Sequence, residues 1–150
     1  MLNSQEIARA RDCVKRVTNV TLPWNVDVVP QEAEGVSVSV AGGSAQIAAN
    51  TVNDLTRCFF MLARAAKENW PEGQVNHYRR FSSCGAMVDC SRNAVMTVEA
   101  VKRYIDQLAC LGMNMLMLYT EDTYEVPEYP AFGYLRGGYT QKDLREIDDY

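Results

Sequence analysis

Val36, Val38 and Val40 alternate with Ser37 and Ser39, the period-two pattern of a strand with one wet face. Gly42-Gly43 follows, and Ala45 to Ala49 returns as a second strand, so alternation and turn chemistry together predict a hairpin. Upstream, Trp24 to Val29 reads as a strand closed by Pro30. Earlier still, Ile7, Ala10, Val14 and Val17 recur at helical spacing, with Ser4 placed as the N-cap. After the hairpin, Thr51 and Asp54 open a second helix whose stripe is Val52, Leu55, Phe59, Leu62 and Ala66. It ends near Asn69, because Trp70-Pro71-Glu72-Gly73 carries a breaker and a turn residue. The first half therefore reads as a small antiparallel sheet backed by helices.

The pattern changes after residue 80. Cys84 to Asp89 is a short, mostly apolar run ending in a carboxylate. Thr97 caps a helix with Val98, Val101, Ile105, Leu108 and Leu111 on one face, and Gly112 supplies a left-handed C-cap. Met113 to Tyr119 then runs almost continuously apolar, as strands buried on both faces of a parallel sheet do. Strand, helix and strand in this order predict a βαβ unit. Thr140 and Asp143 begin a last helix, with Leu144 and Ile147 placed to bury, and the sequence stops within it at Tyr150.

Composition narrows the function classes. The net charge of −4 and the scattered basic residues offer no electrostatic grip on nucleic acid or an anionic membrane. No apolar stretch approaches the roughly 20 residues of a membrane span, and the charged segment Ser4 to Val17 lacks a signal-peptide core. Cys13, Cys58, Cys84, Cys90 and Cys110 form no C-x-x-C pair, which argues against a disulfide framework or a zinc site. Cys58 and Cys110 lie in helical patterns as small buried hydrophobes. Reduced thiols favour the cytoplasm. The single His77 has no second histidine with which to share a metal, and reads as a surface or strand residue. No metal and no cofactor is expected.

Polar groups at the carboxyl ends of parallel strands gather on one face, where active sites form. Asp89 closes the first strand of the βαβ unit, and Glu121-Asp122 follows the second. Two readings stand open for each. Asp89 is a functional carboxylate at a strand end or a loop brace on the amides around Ser91 and Arg92; Glu121 and Asp122 are site residues or solvated loop acids. The next segment holds Tyr124, Tyr129, Phe132, Tyr134 and Tyr139, stiffened by Pro127, Pro130 and glycines. Ring faces of this kind stack on the apolar faces of pyranoses, and they equally suit a lid on a barrel rim.

The run Gly85-Ala86-Met87-Val88-Asp89-Cys90-Ser91-Arg92-Asn93, then Leu111-Gly112-Met113-Asn114 and Tyr119-Thr120-Glu121-Asp122, resembles glycoside hydrolase family 20. Within it the chain is most similar to the bacterial β-N-acetylhexosaminidase branch with a Y-T-E-D-T-Y-E motif. Phe132-Gly133-Tyr134, Tyr139-Thr140 and Glu146 to Tyr150 continue the likeness. It is strong over residues 81 to 150 and weaker over 24 to 75, where family members often carry a small α/β domain.

The resemblance implies an α/β chain in which a small α+β domain (1–78) is followed by the first βαβ unit of an incomplete (β/α)8 TIM barrel (79–150). It implies a retaining, substrate-assisted hydrolase that removes terminal N-acetylglucosamine or N-acetylgalactosamine, an exception to the two-carboxylate scheme. The family's acid and acetamide-orienting pair, an adjacent Asp-Glu after a later strand, has no counterpart here, so no catalytic residue is expected in this chain. Asp89, Glu121 and Asp122 are the expected substrate-binding residues. Cys84 stands where many members have a sugar-binding Arg. The expected partner is an amino-sugar glycoside, with no nucleic acid or membrane, and the uncovered apolar run Met113 to Leu118 predicts self-association. A non-catalytic carbohydrate-binding or interaction module is the alternative.

Overall fold

The computed structural model describes residues 2–32, 34–92 and 94–150, so Asn93 of the motif run lies outside the described residues. The chain divides into two compact units. The first comprises Met1–Cys84 with Asp106–Asn114, and the second Gly85–Ile105 with Met115–Tyr150.

In the first unit, helix α1 (Ser4–Thr18) is capped by Asn3, not by Ser4. Asn3 Oδ1 accepts the Glu6 amide and Glu6 Oε2 accepts the Asn3 amide. This reciprocal box satisfies two backbone donors where Ser4 would satisfy one. Strands β1 (Asn25–Val29), β2 (Val36–Ala41) and β3 (Ser44–Ala48) follow. The two-residue hairpin forms as expected, with Gly42 and Gly43 both at positive φ (56° and 76°), the geometry that matches strand twist.

The sheet is not antiparallel throughout. Its order is β1-β3-β2-β4, with Gly73–His77 as β4, and β1 runs parallel to β3. Strand β4 (Gly73–His77), exposed along its whole length, pairs antiparallel with β2. Its polar sequence Gly-Gln-Val-Asn-His carries no alternation, so backbone pairing at an edge, not side-chain burial, makes it a strand. His77 ends that exposed strand.

Helix α2 (Val52–Glu68) starts at Thr51, whose side chain accepts the Asp54 amide, and ends on Asn69 in the left-handed region. Its Leu55, Cys58, Phe59 and Leu62 are wholly buried with Ile47 of β3. Ala10, Cys13 and Val14 of α1 and Val36 and Val38 of β2 complete this core. Burying a side chain of Leu or Phe size contributes roughly 1.5–3 kcal/mol, so the α2 stripe anchors the unit. Cys110 joins the same core, and all five cysteines are free thiols.

The second unit is built on two parallel strands, β5 (Gly85–Asp89) and β6 (Met115–Tyr119). Helix α3 (Val98–Cys110) lies between them in sequence. The Thr97 hydroxyl accepts the Ala100 amide, and Gly112, at φ 82°, closes the C-terminal end. Val88, Leu116 and Leu118 pack with Val101, Ile105, Cys90 and Tyr139. Only this face is covered. Met87, Met115, Met117 and Tyr119 are 44–65% exposed, so a run patterned for burial on both faces of a parallel sheet is left uncovered on one of them in this chain. The apolar run is continuous because its residues serve two faces, and just one has a helix packed on it here.

Helix α4 (Gln141–Asp149) has the Thr140–Asp143 capping box. Ile147 packs on the small core, but Leu144 stays exposed, contrary to its expected burial. In a helix this short, the stripe that reaches the core is a single residue wide.

Candidate functional site

Parallel pairing sets the site's frame. Gly85 lies opposite Met115, Met87 opposite Met117, and Asp89 opposite Tyr119. Paired residues share a face and side chains alternate along each strand, so these six form the uncovered face, apolar at its centre. At its carboxyl end stand one carboxylate and one phenol.

Asp89 Oδ1 accepts the Ser91 amide at 2.8 Å and the Ser91 hydroxyl at 2.6 Å. These two bonds hold its carboxyl below the usual carboxylate range. Asp89 is therefore an anion at neutral pH, suited to accepting a hydroxyl proton in a hydrogen bond and unsuited to acting as a general acid. The brace reading of this residue is realised on Ser91, while its second oxygen leaves room for a ligand reading as well.

Glu121 occupies the left-handed region at φ 48°, uncommon for a residue with a side chain. Tyr119 donates its hydroxyl to Glu121 Oε1 at 3.0 Å, and Arg92 Nη2 lies 3.9 Å from the same oxygen. The carboxylate holds the phenol's proton and pushes its pKa up. Asp89, Tyr119, Glu121 and Arg92 thus form one polar rim. Sequence reasoning nominated Asp89 and Glu121. Tyr119 and Arg92 entered it only as letters of a motif, because nothing in spacing alone says that a phenol closing an apolar run faces an acid two residues on.

Asp122 belongs elsewhere. Its Oδ2 accepts Arg136 Nε at 3.3 Å, while Oδ1 is buried without a hydrogen-bond partner. Both groups line a cavity of about 330 Å³ within the loop 122–140, together with Tyr124, Tyr129, Phe132 and Tyr139. Tyr124 and Phe132 meet edge to face with centroids 5.3 Å apart. Arg136 lies fourteen positions after Asp122, with Gly133 between, and no periodicity predicts their meeting.

Cys84 precedes β5 and is exposed; its backbone is clasped by Asn114, whose Oδ1 accepts the Cys84 amide. Among the described residues no three His, Cys, Asp or Glu side chains come together to hold a metal ion, and no helix is long and apolar enough to cross a membrane.

No protein-family model matches the sequence, and no curated protein does. Solved structures do. A glycoside hydrolase family 20 β-N-acetylglucosaminidase aligns with a TM-score of 0.77 at 22% identity, over 97% of this chain and 34% of its own. The family 20 exo-β-N-acetylglucosaminidase of Vibrio harveyi, solved with N-acetylglucosamine, gives 0.74 at 20% identity, over 97% and 29%. The N-acetyl-β-hexosaminidase of Streptomyces plicatus gives 0.69 at 20% identity, over 99% and 38%. This chain spans about a third of the length of these enzymes. Over nearly all of its residues it has the fold of a portion of the family 20 glycoside hydrolases.

Proposed function

We propose that this chain is the amino-terminal part of a β-N-acetylhexosaminidase of glycoside hydrolase family 20. Residues 1–78 form its accessory domain, and residues 79–150 begin a (β/α)8 barrel. The carrying observation is the fold likeness across 97% of the chain to family 20 enzymes, one of them solved with N-acetylglucosamine. In the whole protein the uncovered face of β5 and β6 lines the barrel interior, and the rim of Asp89, Tyr119 and Glu121 stands at the carboxyl end of the strands, where barrel enzymes hold substrate.

The substrate is a terminal N-acetylglucosamine or N-acetylgalactosamine glycoside, cleaved with retention by attack of its own acetamido oxygen. Asp89 and Glu121 accept hydrogen bonds from sugar hydroxyls, with Arg92 at the same rim as donor. The acid and the acetamide-orienting carboxylate come from sequence outside this chain, so the 150-residue chain is itself inactive. Five free thiols support a cytoplasmic location.

The test is hydrolysis of nitrophenyl N-acetylglucosaminide by the whole protein and by the chain alone. Turnover by the whole protein only is the expected result. Turnover by the chain alone, lost in Glu121→Gln, would make the visible acids catalytic, and no turnover by either would leave a non-catalytic binding module.

A further inference from the structure

We infer that Cys13 and Cys110 form a paired oxidation site, two buried thiols that a peroxide joins reversibly into a cystine. The inference is independent of the glycosidase reading, and both residues belong to the first unit.

Helix geometry brings the sulfurs together. Cys13 of α1 is 7% exposed and Cys110, the last residue of α3, is 1% exposed, and both lie in one apolar core. Cys13 Sγ stands 3.3 Å from Asp106 Oδ1 and 3.8 Å from the Asp106 carbonyl oxygen. Cys110 follows Asp106 by one turn of α3. Residues so spaced share a face, and a helical side chain leans back over the turn before it. Cys110 therefore covers the turn that Cys13 touches, and the two thiols share a hydrogen bond.

The contact is held from both sides. Arg16, one turn beyond Cys13 in α1, grips the Asp106 carboxylate with Nε at 2.9 Å and Nη2 at 3.0 Å. Arg57 Nη1 donates to the Cys110 carbonyl oxygen at 3.2 Å. Packing alone would be met by alanine or valine at 13 and 110. A carboxylate and two guanidinium groups gathered around a thiol pair serve chemistry better than they serve packing.

That chemistry is divided between the thiols. The hydrogen bond to Cys110, together with burial, pushes the Cys13 thiol up. The same bond draws Cys110 down against the effect of its burial, and the Arg57 and Arg16 cations act in the same sense. Cys110 is thus the attacking sulfur. Its thiolate attacks one oxygen of hydrogen peroxide and the O–O bond breaks. The hydroxide that leaves takes up the proton Cys110 had lost, giving water and a Cys110 sulfenic acid. Cys13 then attacks the Cys110 sulfur, the S–O bond breaks, and the departing hydroxide takes the Cys13 proton as a second water. Two thiols are oxidised and one peroxide is reduced. Peroxide is little larger than water, and the Arg16 side chain, 52% exposed, marks its way in. The cystine closes a long loop of chain, which restricts the unfolded state and stabilises the oxidised form.

The experiment treats the folded 150-residue chain with hydrogen peroxide at low protein concentration, in a Cys84→Ser background that removes the exposed thiol. Cystines are mapped by mass spectrometry without reduction. A Cys13–Cys110 cystine is expected at about tenfold or more over any other pairing, although Cys58 is buried in the same core. The urea midpoint should rise on oxidation and return when a dithiol reductant is added, a comparison that needs no core variant. Cys13→Ser, whose hydroxyl keeps a donor beside Cys110, is expected to stop at the Cys110 sulfenic acid, trapped by dimedone. Thiols left intact at both positions, equal capture of Cys58, a cystine that does not raise the midpoint, or no sulfenic acid at Cys110 in Cys13→Ser overturns the paired site.

Discussion

The Asp89 carboxylate and Ser91 are joined twice, through the Ser91 amide and its hydroxyl, both on Oδ1. Ser91 is wholly buried and lies two residues beyond the end of β5. The pair fixes the direction in which the chain leaves the strand, and it fixes the charge of Asp89. A carboxylate whose folded pKa is depressed adds stability above its unfolded value near 4, and that contribution is lost as pH falls through the folded value. Ser91→Ala removes one of the two bonds. The Asp89 pKa, followed by NMR titration, is expected to rise toward the ordinary range, and the second unit should lose structure at a higher pH on acidification.

In the whole protein, Asp89→Asn and Glu121→Gln are each expected to lower kcat/KM at least tenfold, about 1.4 kcal/mol of transition-state binding. Thermal stability should change little for Glu121→Gln, since its partners Tyr119 and Arg92 are exposed. It should change more for Asp89→Asn, which weakens the Ser91 brace. Unaltered kinetics in both variants would leave Asp89 a loop brace and Glu121 a solvated loop acid.

Asp106 is buried in the first unit, where it accepts Arg16 Nε at 2.9 Å and Arg16 Nη2 at 3.0 Å. The Cys13 thiol lies 3.3 Å from its Oδ1. Arg16 is half exposed, which screens the pair, so Asp106→Ala is expected to cost about 1–3 kcal/mol. A lowered urea midpoint at unchanged slope is the readout. Asp106→Asn keeps one acceptor and should cost less.

Burial pushes the Cys58 thiol up to about 12, whereas in the unfolded chain it ionises near 8.5. Its folded pKa is raised, so the stability it contributes is complete below about 8.5 and is lost as pH rises toward 12. Across that window the slope approaches about 1.4 kcal/mol per pH unit for one thiol. Urea midpoints measured from pH 8 to 11 should fall less steeply in Cys58→Ala than in the parent.

Met87 and Met117 face each other on the uncovered side of β5 and β6. An apolar face with open strand edges is a template for association, so the isolated chain is expected to self-associate in sedimentation experiments. Met117→Lys should shift it toward monomer without loss of helical content, because the side chain is 49% exposed. A parent chain that stays monomeric at high concentration would remove this expectation.

The elements legible in the sequence are those fixed by local rules. Alternation in Val36–Val40 and the Gly42-Gly43 pair specify a hairpin, because side chains alternate in a strand and only glycine adopts positive φ freely. The stripe Leu55-Phe59-Leu62 specifies α2, and Gly112 specifies the end of α3, for equally local reasons. Tertiary structure decided what depends on partners distant in the chain. It made β1 parallel to β3 and turned Gly73–His77 into an edge strand, since strand direction and edge pairing follow from where the backbone returns and not from side-chain pattern. It left Met115 and Met117 uncovered, because a continuous apolar run cannot say which of its faces has a helix on it. It also separated Glu121 from Asp122, sending one carboxylate to Tyr119 and the other to Arg136. Adjacent residues in the sequence carry no record of that divergence, which is set by the left-handed backbone at Glu121 and by a loop that closes only in three dimensions.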